Sequence, residues 1–109
     1  NNMSQRDEKL RDMIKEVAAK FLNIESNRVS LMTVTNVTLT KNNKHATIFF
    51  TVFPNNKEKA ALDFVKRKRG EFRDFAGENI RVGRIPFFDF EIDNGEKHRQ
   101  KIDALLKSD

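Results

Sequence analysis

Apolar residues recur at helical spacing early in the chain, where Leu10, Met13, Ile14, Val17, Ala18 and Phe21 share one stripe. Arg6, Lys9, Arg11, Lys15, Glu16 and Lys20 occupy the other faces, so the pattern predicts an amphipathic first helix with a basic bias, opened by the capping-box spacing Ser4-Gln5-Arg6-Asp7. Asn23 to Arg28 is polar and predicts a turn. The period then drops to two: Leu31, Thr33, Thr35, Val37 and Leu39 alternate with Met32, Val34, Asn36, Thr38 and Thr40, which predicts a strand. Lys41-Asn42-Asn43-Lys44 supplies a turn, and Ala46, Ile48, Phe50 and Val52 alternate with Thr47, Phe49, Thr51 and Phe53 to complete a hairpin. Phe49 and Phe53 fall opposite Phe50, and a covered or edge position is expected for them; exposed, they could stack on bases.

Helical spacing returns from Lys57 to Arg69, after Pro54 and a cap from Asn55 or Asn56, with Ala61, Leu62, Phe64 and Val65 as the buried face. Gly70 interrupts this pattern and predicts a bend, with a short third helix from Glu71 anchored by Phe72, Phe75 and Ala76 and closed by Gly77. Arg84 to Ile92 reads as a third strand in which Phe88, Phe90 and Ile92 point inward and Phe87, Asp89 and Glu91 point away, with Pro86 at an edge or strand end. Asn94-Gly95 turns the chain toward a last helical segment packed by Ile102, Leu105 and Leu106. Phe21, Ile48, Phe50, Phe64, Phe88 and Phe90 are the expected large core residues. The order predicts one α+β domain over residues 3–109: helix, two strands, helix, kink, helix, strand, with a small three-stranded mixed sheet. This is the order of a type II KH-like domain. Asn1 and Asn2 ahead of Met3 read as residues added upstream of a start methionine.

Composition narrows the partners. With 34% charged residues and a formal net charge of +5 in 109 residues, the chain favours an acidic partner such as nucleic acid, although an anionic membrane surface would also suit. No apolar run nears the roughly 20 residues needed to cross a bilayer, so no membrane partner and a cytoplasmic location are expected. The absence of cysteine excludes disulfides and thiolate chemistry. Ten phenylalanines without tyrosine or tryptophan supply apolar volume with no polar handle.

The densest cationic stretch surrounds the predicted bend. Lys66, Arg67, Lys68, Arg69 and Arg73 flank Gly70, where the start of a helix would add backbone donors suited to phosphate; Arg81 and Arg84 add charge further on. These eight residues form the expected RNA-binding set, against the plainer reading of a solvated basic helix with a chance glycine. A metal-dependent nuclease could draw on Asp89, Asp93 and His98, but their spacing matches no ligand motif, so no catalysis and no cofactor are expected. A protein-interaction module using the hairpin edge or exposed phenylalanines is the other rival.

In KH domains the junction between consecutive helices carries a GxxG loop; here it reads Lys68-Arg69-Gly70. Val34-Thr35-Asn36-Val37-Thr38-Leu39-Thr40, Ala46-Thr47-Ile48-Phe49-Phe50-Thr51-Val52 and Arg84-Ile85-Pro86-Phe87-Phe88-Asp89-Phe90 with Asp93, followed by Ile102 and Leu105-Leu106, resemble the bacterial ribosome-binding factor A family from Arg6 to Leu106. That family replaces the GxxG loop by an Ala-x-Gly bend; Gly70 matches it, and Lys68 stands where alanine is expected. The resemblance implies a monomeric assembly factor that binds rRNA of the small ribosomal subunit, and possible small-subunit proteins, late in maturation. It also implies assistance to rRNA processing and a part in cold adaptation, with no catalytic chemistry. A general KH-like RNA-binding protein not tied to the ribosome is the alternative.

Overall fold

The computed structural model describes residues 5–25, 30–80 and 84–95. Ser4, Arg28, Arg81, His98 and the expected last helix through Ile102, Leu105 and Leu106 lie outside the described residues.

Helix α1 spans Gln5–Glu25, with Asp7 and Glu8 placed favourably in its first turn. It runs through Asn23–Glu25, where the polar composition had predicted a turn, because buried Phe21 and Leu22 carry the apolar stripe to the end. Strand β1 (Leu31–Leu39) pairs antiparallel with β2 (His45–Phe53), and β2 pairs in parallel with β3 (Phe87–Ile92), giving the order β1-β2-β3. The hairpin turn places Asn43 at φ 58°, a left-handed conformation that asparagine tolerates, and its side-chain amide donates to Asp7 Oδ1 at 2.7 Å. Pairing of β2 with β3 in parallel requires a crossover, supplied by a 3-10 turn (Asn55–Lys57), helix α2 (Glu58–Arg67) and helix α3 (Arg69–Asn79). Neither Asn55 nor Asn56 caps α2; its N-cap is Lys57, without a side-chain hydrogen bond.

The mixed α+β sheet predicted from element order is present, but β1 departs from simple alternation. A bulge between Val34 and Asn36 leaves Thr35 out of the β1–β2 register, so Met32 and Val34 turn inward together with Val37 and Leu39, and Leu31 is left 66% exposed. In β2 the expected set Ala46, Ile48, Phe50 and Val52 is buried. Buried residues of all three helices join this inner sheet face in a single core, which leaves the other face outward. Phe53 is accordingly 72% exposed and lies on the central strand, contrary to the covered or edge position expected, while Phe49 is half-buried. Phe64 too is only half-buried. The centre is instead Phe72, whose ring meets Phe21, Phe88 and Phe90 at 5.2, 4.7 and 5.5 Å.

The break between the crossover helices falls at Lys68, two residues before Gly70. Lys68 has φ −95° and ψ 6°; its N–H reaches Phe64 O and Val65 O at 3.2 and 3.1 Å, and its carbonyl accepts from Phe72 N–H at 2.8 Å. Gly70 therefore lies inside the first turn of α3, with no positive φ and nothing within 4 Å of an added Cβ. Gly77 likewise lies within α3, which continues to Asn79, whose side-chain amide donates to Phe75 O at 2.7 Å. Gly70→Ala is expected to raise thermal stability by about 0.5–1 kcal/mol, through lower unfolded-state entropy in a site that needs no glycine. A fall in melting temperature would show that this turn requires a bare backbone.

Candidate nucleic-acid interface

The α2–α3 junction carries the predicted cations, and the fold sorts them into two kinds. Lys66 and Arg67 end α2, both exposed, and no carboxylate among the described residues pairs with either. Such cations are available to phosphate without first breaking an internal pair. Lys68 differs, because its side chain is only 30% exposed and its ammonium lies 3.5 Å from Glu25 and 3.3 Å from Glu71. The hydrogen bond and charge of Glu71, then the charge and hydrogen bond of Glu25, hold its pKa above the ordinary lysine value despite some desolvation. Lys68 thus fastens the junction to the end of α1, and also lies 5.8 Å from the Phe64 ring centroid.

Beyond the break, Arg69 pairs with Asp89 at 3.4 Å across to β3, and both side chains are about half exposed. Exposed pairs of this kind contribute little to stability and exchange readily for another anion. Arg73, one turn further along α3, places its guanidinium 5.1 Å from the ring centroid of Phe87. Arg84 is exposed just ahead of β3, and Arg81 lies outside the described residues.

Arg69, Gly70 and Arg73 line one side of an open cleft of about 480 Å³, whose other walls include His45, Thr47, Phe87 and Asp89. The first turn of α3 thus faces the cleft, where a helix N-terminus favours negative charge. The open space over Gly70 leaves the backbone there accessible. Phe87 is 62% exposed at the start of β3; its N–H donates to Lys44 O at 2.8 Å, which holds the strand's first residue against the hairpin turn. His45 stacks on it, with centroids 5.7 Å apart and planes inclined by 27°.

Alternation along β3 correctly places Phe87 outward, but the sequence does not bring His45 beside it; the parallel register His45↔Phe87 does. Nor does any local signal link Glu25 to Lys68, 43 positions later. Among the described residues no group of three or more His, Cys, Asp or Glu side chains is arranged to hold a metal, and no helix there is long and apolar enough to cross a membrane.

A family model described as Ribosome-binding factor A matches residues 6–106. A relative of that name from Clavibacter michiganensis is 35% identical over 105 residues, covering 94% of this chain and 63% of its own length, so the chain spans less than two thirds of that relative. Among solved structures, ribosome-binding factor A from Thermus thermophilus superimposes with a TM-score of 0.71 at 21% identity, covering 78% of this chain and 92% of that one. A homology model of the Thermus factor, fitted into a cryo-EM map of a 30S complex, gives 0.61 at 24% identity over 78% of this chain and 88% of that one. The structural likenesses carry the α+β fold, and the match over 6–106 carries the family: this chain belongs to the ribosome-binding factor A family.

Proposed function

We propose that this protein is an assembly factor that binds the free small ribosomal subunit through its rRNA and assists late rRNA processing and subunit maturation. It acts by binding and not by catalysis, as a cytoplasmic monomer without a cofactor. Membership of the family is the observation that carries this reading; the Thermus member's placement in a 30S complex supports the choice of subunit. The junction supplies the chemistry, since Lys66 and Arg67 have no carboxylate partner among the described residues and Arg69 and Arg73 border a cleft open to solvent. Lys68, Gly70, Arg81 and Arg84 complete the proposed contact set, Lys68 chiefly by holding the junction in place.

Co-sedimentation with purified small subunits, large subunits and whole ribosomes tests the proposal. Preferential pelleting with free small subunits is the expected result, weakening steeply as salt rises because phosphate contacts release counterions. Equal pelleting with large subunits would instead favour a general RNA-binding protein, and salt-insensitive pelleting a protein-interaction module.

A further inference from the structure

We infer that the cleft between α3 and the starts of β2 and β3 receives an unpaired nucleobase of the bound RNA, stacked on the Phe87–His45 pair, with the adjoining phosphate against Arg69 and Arg73. The inference rests on the RNA-binding reading and specifies the form of RNA that this part of the surface takes.

A comparison within one sheet carries it. Phe53 and Phe87 are both large, outward-facing and mostly exposed, at 72% and 62%. Phe53 closes β2 at one end of the sheet, and no ring or cation among the described residues sits on it. A single exposed apolar side chain of that kind is ordinary. Phe87 lies at the other end, with an imidazole stacked 5.7 Å away, a guanidinium 5.1 Å from its centroid and a cleft beside it. Cations alone would suffice to follow a phosphate backbone; adding two planar rings supplies the flat, apolar surface that a base needs and a phosphate does not. The volume of about 480 Å³ falls among clefts that hold small ligands, roughly 300–1,000 Å³. Asp89 is the one carboxylate lining it among the described residues, and its charge is offset by Arg69 at 3.4 Å. A base inside an A-form duplex hides its faces in the stack, so the occupant must be unpaired: a loop, a bulge or a strand end.

The chain contains neither tryptophan nor tyrosine, so the emission of a fluorescent base can be followed with little protein background. The probe is a single-stranded RNA hexamer carrying 2-aminopurine, compared with a fully paired RNA hairpin stem labelled at its end. Wild-type protein should quench the hexamer on binding. Phe87→Ala should weaken hexamer binding by roughly 5- to 100-fold and remove the quench, as expected for loss of one aromatic–base stack. The same variant should leave stem binding unchanged; Phe87→Tyr should retain both binding and quench, and Phe53→Ala should behave as wild type. Wild-type quenching and affinity in Phe87→Ala would overturn the base site while leaving RNA binding intact. Equal weakening of hexamer and stem by Phe87→Ala would also overturn it, because the ring would then be supporting the surface and not holding a base. If wild-type protein binds neither RNA at low salt, the RNA reading falls and the base site with it.

Discussion

Phe72→Ala is expected to cost about 3–5 kcal/mol of folding stability, a large share of the roughly 5–15 kcal/mol that holds a domain of this kind together. The size follows from position. Phe72 is fully buried, and its ring contacts Phe21 of α1 and both Phe88 and Phe90 of β3 in edge-on arrangements. Such pairs contribute beyond the area they bury. Truncation therefore opens a cavity where two helices and the sheet meet. Urea denaturation measures the loss. Phe53→Ala, which removes an equally large ring from an exposed site, should change stability by less than about 0.5 kcal/mol. A loss below about 1 kcal/mol for Phe72→Ala would mean that the core collapses around the gap and that Phe72 is not its centre.

The second large effect is on RNA. Lys66→Glu combined with Arg67→Glu should abolish detectable binding to small subunits at moderate salt while leaving the fold intact, because both side chains are exposed and neither has a carboxylate partner among the described residues. In titrations at low salt, loss of two phosphate contacts should reduce the slope of log affinity against log salt by about 1.4–1.8. Reversal of Lys68 and Arg69 would be a poorer experiment, despite their place in the same basic run. A glutamate at 68 would face Glu25 and Glu71, and one at 69 would face Asp89, so lost binding could reflect a displaced junction. Lys57→Glu with Lys59→Glu, at the far end of the crossover, is the control for net charge alone. If that pair loses binding as completely as Lys66 and Arg67, the junction is not the contact site.

Much of this molecule could be read from the chain itself, and the reasons are local. Period-3.6 spacing in α1 and period-2 spacing in β2 and β3 each bury one face, and a shift of one residue would expose every apolar side chain in a strand. The inward set of β2, the outward Phe87 and the cationic run from Lys66 to Arg73 follow from that spacing and from composition. The order of elements, with helices between β2 and β3, likewise points to a crossover and a mixed sheet, which the parallel pairing of β2 with β3 bears out. Tertiary structure decided the rest, because those features depend on residues far apart in sequence. The bulge at Thr35 reverses the inward set of half of β1; the Thr35 hydroxyl donates to Asp93, 58 positions away, a partner no window along β1 contains. The position of the helix break is the clearest case. Ala61, Val65, Phe72 and Ala76 would share one stripe on a straight helix, so periodicity carries no sign of an interruption, and glycine's helix penalty points to residue 70. The break falls at Lys68, whose ammonium is drawn to Glu25 of α1, and beyond it Phe72 packs among Phe21, Phe88 and Phe90. The same packing joins Arg73, Phe87 and His45 into a stack, since only the register of β2 with β3 brings residues 45 and 87 side by side.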